Sequence, residues 1–259
     1  QRSCSGGVEG PCDNPGSRGG GVRQMGNGRA ALVLFRGTAR LRAGDGFGGT
    51  KRGNNNDDWQ DNAVGGIDWG AIGDEERDLA EFTQRLIILR NALPILSRGR
   101  FLTGQYDEEF GVKDVAWLRP DGSEMTPENW TDGGARAFAV QLDGRAQATG
   151  LHRRGGDATL LIMFNAYHDL VTLSLPESVG GVAWTRLLDT NLPDSQELTD
   201  FDVGENHPVT GRSMLMLVLE PEASEGPAAS APARPYRHVL QAFTPAPGRR
   251  RRLGLDLVD

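Results

Sequence analysis

The sequence predicts an α+β fold in which an amphipathic helix precedes a unit of short antiparallel strands. Apolar residues recur at steps of three and four between Asp74 and Leu93. Short runs rich in β-forming residues, separated by Gly, Pro and Asp, fill residues 112–219. Several short strands at such spacing favour an antiparallel sandwich.

The helix between Asp74 and Leu93 carries the clearest periodic signal. Its apolar stripe consists of Leu79, Phe82, Leu86, Leu89 and Leu93. Asp74 is placed to cap the first turn, and Pro94 is expected to end the helix. A helix of this kind is stable in water only when its apolar face is covered, so the stripe predicts a packing surface.

Six runs are predicted as strands, and turn residues separate them. The runs are Val112–Leu118, Ala137–Leu142, Ala158–Asn165, Leu170–Leu175, Ala183–Leu188 and Ser213–Leu219. Arg119–Gly122 contains Pro-Asp-Gly and predicts a tight turn, and Phe164–Asp169 is interpreted as a hairpin connection. Pro221–Pro235 is an Ala/Pro/Ser-rich linker.

The first 75 residues hold a large share of the 36 glycines and have little periodicity. Taken alone, residues 1–30 are therefore predicted to be loop or disordered. Leu41–Asp45 is predicted as a short strand that runs into a turn. Residues 44–73 are rich in Gly, Asn and Asp, and the consecutive asparagines Asn54–Asn56 favour turns.

Composition excludes several functions. The formal net charge of −7 disfavours nucleic acid as a partner, and no apolar run is long enough to span a membrane. No signal peptide is visible, which favours a cytoplasmic location. Cys4 and Cys12 form no CxxC pair, and the four histidines lack ligand spacing, so no metal or cofactor is expected. Arg249–Arg252 is interpreted as a solvated tail.

Three stretches resemble glycogen debranching enzymes of the isoamylase type, within the α-amylase family. They are Gly7–Pro15, the glycine- and asparagine-rich stretch Gly44–Asn62, and the long, strongly specific stretch Gly111–Trp130. The similarity covers most of the chain, from about residue 5 to about residue 219. The first residue, Gln1 rather than Met, is consistent with a fragment of such an enzyme.

The resemblance implies an architecture in which a (β/α)8 barrel is followed by a C-terminal β-domain. Residues 1–105 would be the terminal part of the barrel, and no fixed fold is expected for the first 40 residues because the other barrel strands are missing. Residues 106–220 would be an antiparallel C-terminal β-sandwich domain, and residues 221–259 a disordered tail. Within the barrel part, Ala30–Phe35 would lie in the helix before the eighth strand. Leu41–Gly44 would be that strand, and Asp74–Leu93 the closing helix.

The resemblance also implies a reaction, the hydrolysis of α-1,6 branch linkages in glycogen or limit dextrin. Retaining glycosidases use two carboxyl groups about 5 Å apart, one as nucleophile and one as acid. In this family the acidic residues lie on the fourth, fifth and seventh barrel strands, all before the stretch that matches Gln1. The chain is therefore expected to lack catalytic residues, with α-glucan as its partner and the missing barrel portion as a further candidate partner.

What remains of the active site is the loop after the eighth strand. The candidate substrate-binding residues are Asp45, Asn54, Asn55, Asn56, Trp59, Gln60, Asp61 and Asn62. Amide side chains both donate and accept hydrogen bonds, which suits sugar hydroxyls, and Trp59 can stack on a sugar ring. An equally weighted interpretation is that the asparagines only fix a compact loop over Trp59.

The sequence departs from the family pattern in this region. Gly46 stands where the family has glutamate, Gly49 where it has arginine, and Asp57–Trp59 where it has Ala-Tyr-Cys. Gly26 and Gly28 lie where the preceding helix is expected to carry packing residues, and each interior glycine costs about 1 kcal/mol relative to alanine.

Two other functions stay open. The β-domain either binds α-glucan without cutting it, through exposed tryptophans, or is purely structural and leaves the Leu79–Leu89 stripe exposed. Trp117, Trp130 and Trp184 are nevertheless favoured as core residues, because large aromatic side chains dominate the cores of sandwiches. His168 and His207 are interpreted as ordinary surface or turn residues.

Overall fold

The described part of the chain contains two long α-helices and ten strands, joined by loops and short 3-10 turns. The computed structural model describes residues 14–35, 37–54, 56, 61–97, 99, 101–146, 158–193, 195 and 197–221. The helices are α1 (Pro15–Leu34) and α2 (Asp74–Ala92). The strands are β1 (Tyr106–Asp107), β2 (Val112–Lys113), β3 (Val115–Leu118), β4 (Ala137–Asp143), β5 (Thr159–Asn165), β6 (Val171–Ser174), β7 (Gly181–Asp189), β8 (Asp200–Asp202), β9 (Asn206–Val209) and β10 (Ser213–Pro221).

The sheets are antiparallel throughout the described residues. Six strands form one sheet in the order β3-β4-β5-β10-β7-β8, and β6 pairs with β9 in a second, two-stranded sheet. A further pair, β1 and β2, lies beside them. The central strand of the large sheet is β10, which pairs with β5 on one side and with β7 on the other.

Each face of the six-stranded sheet has its own apolar core. On one face, Met214 and Met216 of β10 pack with the two helices. On the other face, Leu215 and Leu217 of the same strand pack with the small sheet and with Trp184, which is fully buried. Alternation of side chains along β10 therefore supplies both cores from a single strand.

Helix α2 confirms the predicted helix and its apolar stripe. Leu79, Phe82, Leu86 and Leu89 are all buried, and Leu93 is buried at its end. The stripe faces α1 and the sheet, so the expectation that a structural β-domain would leave it exposed is wrong. Burial of this face is what stabilises the helix, because amphipathic helices owe most of their stability to tertiary packing.

The start of α2 differs from the prediction. Asp74 is the first helical residue rather than the cap, and Gly73 occupies the cap position. The side chain of Glu76 reaches back and accepts a hydrogen bond from the Gly73 backbone N–H, at 3.0 Å. A glutamate three residues after the cap position satisfies one of the unpaired N–H groups of the first turn. The predicted stop is confirmed, since the helix ends before Pro94.

The predictions of loop or disorder for residues 1–30 and of no fixed fold for the first 40 residues are wrong over α1, whereas the helix expected at Ala30–Phe35 is present as far as Leu34. Asn14 caps this helix by accepting hydrogen bonds from the N–H groups of Gly16 and Ser17. Its C-terminal turns bury Ala30, Val33 and Leu34 in the core shared with α2 and the sheet. Packing against those partners outweighs the unfavourable glycine content. The preceding residues, 1–13, lie outside the described residues.

A side chain of α2 also binds the end of α1. The Arg90 guanidinium donates to the carbonyl oxygens of Val33, Phe35 and Gly37. The last carbonyl groups of a helix have no partner within the helix, so an arginine from a neighbouring element can satisfy them. The two helices are therefore joined by polar contacts as well as by the apolar core.

The strand predicted at Leu41–Asp45 is absent. Residues 41–44 are irregular, Leu41 is exposed, and Asp45–Phe47 forms a single 3-10 turn. A strand needs a neighbour to pair its N–H and C=O groups. Within the described ranges, no strand pairs with this segment.

The predicted strands of the β-rich part are confirmed, with one break and one change of connection. Val112–Leu118 is divided into β2 and β3 by the buried Asp114, whose carboxylate accepts hydrogen bonds from the N–H groups of Thr103 and Gly104. Phe164–Asp169 is not a hairpin connection, because it leads from the large sheet at β5 to the small sheet at β6.

Three short strands, β1, β8 and β9, were not predicted from the sequence. They are two to four residues long and contain few β-forming residues. Neither helix in the described part of the chain is both long enough and apolar enough to cross a membrane.

Candidate functional site

The predicted site lies in the segment between α1 and α2. Side chains of both helices form hydrogen bonds with the first part of this segment. The Arg29 guanidinium of α1 donates to the carbonyl oxygen of Asp45. The Thr83 hydroxyl of α2 lies 3.0 Å from the carbonyl oxygen of Gly46. Gly48 has a φ of +78°, and a Cβ there would lie 3.0 Å from Leu79, so this position requires glycine. The Asp45–Phe47 turn is thus fixed on the helix pair.

Asp45 is the first predicted site residue in this segment. Its carboxylate accepts a hydrogen bond from the N–H of Arg42 at 2.8 Å, while its side chain stays exposed. Burial lowers the pKa of Arg29, and the charge of Asp45 opposes that shift. Asp45 therefore has a structural task, since its carbonyl group binds Arg29 and its carboxylate closes a turn.

Lys51 joins the two halves of the loop. Its Nζ donates to the carbonyl oxygens of Val64, Gly65 and Gly66, at 3.1, 2.9 and 3.3 Å. An ammonium group has three donors, and here all three are used. Lys51 therefore holds residues 64–66 close to position 51, on either side of the segment that carries most of the predicted polar residues.

The asparagines at the two ends of this loop form local turns. The Oδ1 of Asn54 accepts from the N–H of Asn56 at 3.0 Å, and the Oδ1 of Asn62 accepts from the N–H of Val64 at 2.9 Å. These contacts support the interpretation that asparagine fixes a compact loop. Asn56, Asp61 and Asn62 are also exposed, which leaves them accessible to a ligand.

Part of the predicted site lies outside the described residues. This concerns Asn55, Trp59 and Gln60. The structure fixes where Asp45, Asn54, Asn56, Asp61 and Asn62 lie along one closed segment. The role of all eight residues in binding substrate stays a prediction.

Sequence reasoning missed an exposed aromatic residue in the same segment. Trp69 is 70% exposed, and its ring centroid lies 5.9 Å from that of Phe47. Asp68 holds the turn by accepting from the N–H groups of Gly70 and Ala71. The only sequence signal for this turn is Asp68, because an aspartate side chain often accepts a hydrogen bond from the backbone N–H two residues later.

The tryptophans of the β-domain fall into different environments. Trp184 is fully buried, as predicted for a core residue, and its indole N–H donates to the carbonyl of Pro176 at 3.0 Å. Trp117 is half-buried beside the helix-side core. Trp130 is 54% exposed, so the core interpretation is wrong for this residue. His168 contacts Tyr167 on the connection after β5, whereas His207 lies half-buried in β9 against Phe201.

Over the residues with described positions, no group of three or more His, Cys, Asp or Glu side chains is arranged to hold a metal ion. The described site consists of amide and carboxylate side chains on a closed loop beside an exposed aromatic ring. Such groups bind neutral polyhydroxylated ligands through hydrogen bonds and stacking.

Comparison with known proteins identifies the β-rich part. Residues 114–218 match the family described as "Isoamylase, C-terminal". The pullulanase from Bacillus acidopullulyticus has a similar fold, with a TM-score of 0.54 at 20% sequence identity, over 80% of this chain and 21% of that one. This part of the chain is the C-terminal domain of an α-amylase-family protein of the isoamylase type.

Proteins that are similar in sequence identify a narrower family. The chain is 37% identical over 223 residues to a "Glycogen operon protein GlgX homolog" of Mycobacterium bovis, which covers 83% of this chain. It is 36% identical over 152 residues, 59% of its length, to a "Glycogen debranching enzyme" of Dickeya chrysanthemi. The chain belongs to the bacterial glycogen debranching enzymes of the isoamylase type and corresponds to their C-terminal part. It spans 30% and 20% of the lengths of these two relatives.

Proposed function

We propose that this chain acts in glycogen debranching, the hydrolysis of α-1,6-glucosidic branch linkages, and supplies part of the wall that holds the glucan. The names of its relatives support the reaction class. The observation that carries the role of this chain is the closed loop tied by Lys51 and anchored to both helices. The exposed side chains of Asn56, Asp61 and Asn62 lie in this segment, and their amide and carboxylate groups can form hydrogen bonds with a sugar chain.

The proposal assigns α1, residues 35–73 and α2 to the end of a (β/α)8 barrel. The order of helix, polar loop and helix before the β-domain supports this assignment. Active sites of such barrels are built from the loops that follow the strands, and the tied loop would be the last of these. Residues 41–44 would then form a strand only when a neighbouring barrel strand is present to pair with them.

The proposal also places the reacting carboxyl groups outside this chain. Retaining glycosidases need two carboxyl groups that flank the scissile bond. Asp45 and Asp68 hold the backbone of this segment by accepting hydrogen bonds from N–H groups, whereas the Asp61 side chain is exposed. The chain would thus bind and position the glucan, while the residues that cut it belong to the preceding barrel strands.

Hydrolysis of glycogen limit dextrin by the 259-residue chain tests the last point. We expect no release of short maltooligosaccharides, with an active debranching enzyme as the positive control. Clear release above the level of a buffer blank would overturn the assignment of the reacting groups elsewhere, without touching the proposed reaction class.

Glucan binding by the loop needs its own test, with maltoheptaose titrated against the whole chain by calorimetry. Asn56→Ala and Asp61→Ala each remove an exposed polar side chain, so we expect a loss of about 0.5–1.5 kcal/mol of binding free energy. Asn91→Ala is the matched control, because Asn91 is an exposed asparagine near the end of α2. Equal affinity in all four proteins would contradict the role of the loop.

A further inference from the structure

A row of aromatic side chains crosses one edge of the six-stranded sheet. It begins at Phe35, at the end of α1, and continues through Phe164 on β5 and Phe138 on β4. It then reaches Trp117 on β3 and ends at Trp130. Neighbouring ring centroids are 4.9–5.9 Å apart, within the range of favourable aromatic contacts. The row is half-buried except at its last member, Trp130, which is 54% exposed.

Trp130 is held in place although it is exposed. It meets Trp117 edge to face, with centroids 5.1 Å apart and an interplanar angle of 75°. It lies in the 3-10 turn Asn129–Thr131, where the Oδ1 of Asn129 accepts from the N–H of Thr126 at 2.9 Å. The Thr131 hydroxyl donates to the carbonyl of Glu128 at 2.8 Å. An exposed indole on a turn with this many hydrogen bonds loses little freedom when a ligand stacks on it.

The surroundings of Trp130 are polar. Thr126, Glu128, Thr131 and Asp132 are all exposed. The hydrogen bond from Thr126 lowers the pKa of Glu128, so this carboxylate is ionised at neutral pH. The surface therefore combines one apolar ring with a rim of hydroxyl and carboxylate groups.

The charge and the small apolar area of the surface around Trp130 favour one class of ligand over the others. Carboxylates beside the ring disfavour nucleic acid and anionic lipid, both of which require cations. A protein partner needs about 800 Å² of contact surface on each side, whereas a single exposed ring within polar loops offers little apolar area. A sugar chain fits better, because a pyranose ring has an apolar C–H face for stacking and hydroxyl groups for the polar rim.

We propose that the Trp130 surface, formed by Trp130 with Trp117 beneath it and the rim of Thr126, Glu128 and Asp132, binds a linear α-glucan chain. It would hold the polysaccharide without cutting it. The choice of α-glucan as the sugar rests on the function proposed above. The surface itself belongs to the β-domain and is separate in sequence from the tied loop.

Affinity electrophoresis of the whole chain, in native gels with and without glycogen, tests this surface. We expect the unaltered chain to be retarded by glycogen. Trp130→Ala is expected to raise the apparent dissociation constant about threefold to tenfold, the range for loss of one stacking contact, and Trp130→Phe to restore part of the retardation. Tyr106→Ala is the matched control, since Tyr106 is a 62% exposed aromatic residue on β1, and it should migrate like the unaltered chain.

Trp69→Ala separates this inference from the proposed function. Loss of retardation in Trp130→Ala that exceeds the loss in Trp69→Ala supports the Trp130 surface. Unchanged retardation in Trp130→Ala, equal losses in both variants, or no retardation of the unaltered chain would overturn it. Loss of retardation in Trp69→Ala alone would mean that glucan binds the segment between α1 and α2. That result would agree with the proposed function. Thermal unfolding followed by circular dichroism should show that every variant stays folded at the temperature of the gel, with a small loss of stability in Trp130→Ala and Trp69→Ala from the lost contacts with Trp117 and Phe47.

Discussion

Helices α1 and α2 are almost equal in length, at 20 and 19 residues, and pack together on the same face of the sheet. Their sequences are very different. The apolar stripe of α2 predicts it directly, whereas α1 contains six glycines and shows almost no amphipathic pattern. Helix α1 is anchored at its last two turns and by side chains of other elements. One helix is specified by its own sequence, and the other by what surrounds it.

Polar contacts from α1 to the β-domain strengthen this contrast. Arg23 donates to the carbonyl of Gly211, and the Asn27 side chain donates to the carbonyl of Arg212 at 2.8 Å. Both acceptors lie in the turn before β10, about 185 residues along the chain from their donors. Local propensity does not encode such contacts, so α1 depends on the fold of a distant segment.

The largest expected effect comes from the core that both helices share. Leu86→Ala removes a side chain of α2 with no exposure and should lower the free energy of unfolding by about 2–5 kcal/mol. Denaturant unfolding followed by circular dichroism measures the loss. Ile87→Ala is the control, since Ile87 is 42% exposed on the same helix. A similar cost for both variants would contradict the burial of the stripe.

A smaller loss of stability is expected when the contact between Arg90 and the end of α1 is removed. Arg90→Met leaves the carbonyl groups of Val33, Phe35 and Gly37 without their arginine donor, at a cost of about 1–3 kcal/mol. Hydrogen exchange should quicken in the last turn of α1 more than in the strands of the large sheet. Arg77→Met serves as the reference, because Arg77 is an exposed arginine of α2 that pairs with Asp74. Uniformly faster exchange across the protein would argue against a local role for Arg90.

The smallest expected change in the free energy of unfolding is an increase. A Cβ added at Gly20 or Gly21 in α1 would meet no other atom within 4 Å. Each alanine substitution should therefore stabilise the chain by about 0.5–1 kcal/mol, as helix propensity and the reduced entropy of the unfolded chain predict. Thermal unfolding of the double variant checks the sum. Gly48→Ala should destabilise instead, because its φ of +78° and the nearby Leu79 leave no room.

The sequence predicted the parts of the fold in which local pattern and burial agree. The stripe of α2 and the six β-rich runs belong to this group, since burial of their apolar residues matches the pattern that predicts them. The turn at Arg119–Gly122 was predicted from its Pro-Asp-Gly chemistry instead, and its Arg119 and Asp121 are exposed. The short strand β8, with the sequence Asp-Phe-Asp, was missed because edge position and pairing with β7 define it rather than composition. For residues 41–44 a strand was predicted but is not formed, because Leu-Arg-Ala-Gly has little β propensity and no described strand pairs with it.

The loop that carries the candidate site was predicted from residue types, but its geometry was not, and the binding role of its residues stays a prediction. Asparagine and aspartate marked the loop, yet the residues that close and anchor it are Lys51, Arg29 and Thr83, whose long-range contacts leave no periodic signal. Trp69 was overlooked because a lone tryptophan within a glycine-rich segment resembles an ordinary loop residue. Exposure on a fixed turn is a property of the fold.

The central place of β10 has a consequence for how this protein is made. The strand is the last of the large sheet in sequence, yet it lies in the middle and contributes side chains to both cores. While the chain grows from its N-terminus, β5 and β7 lack the neighbour that joins them, and their apolar faces have no completed core. Both cores are therefore completed only when residues 213–221 are added, and until then the nascent chain exposes strand edges that invite misassembly.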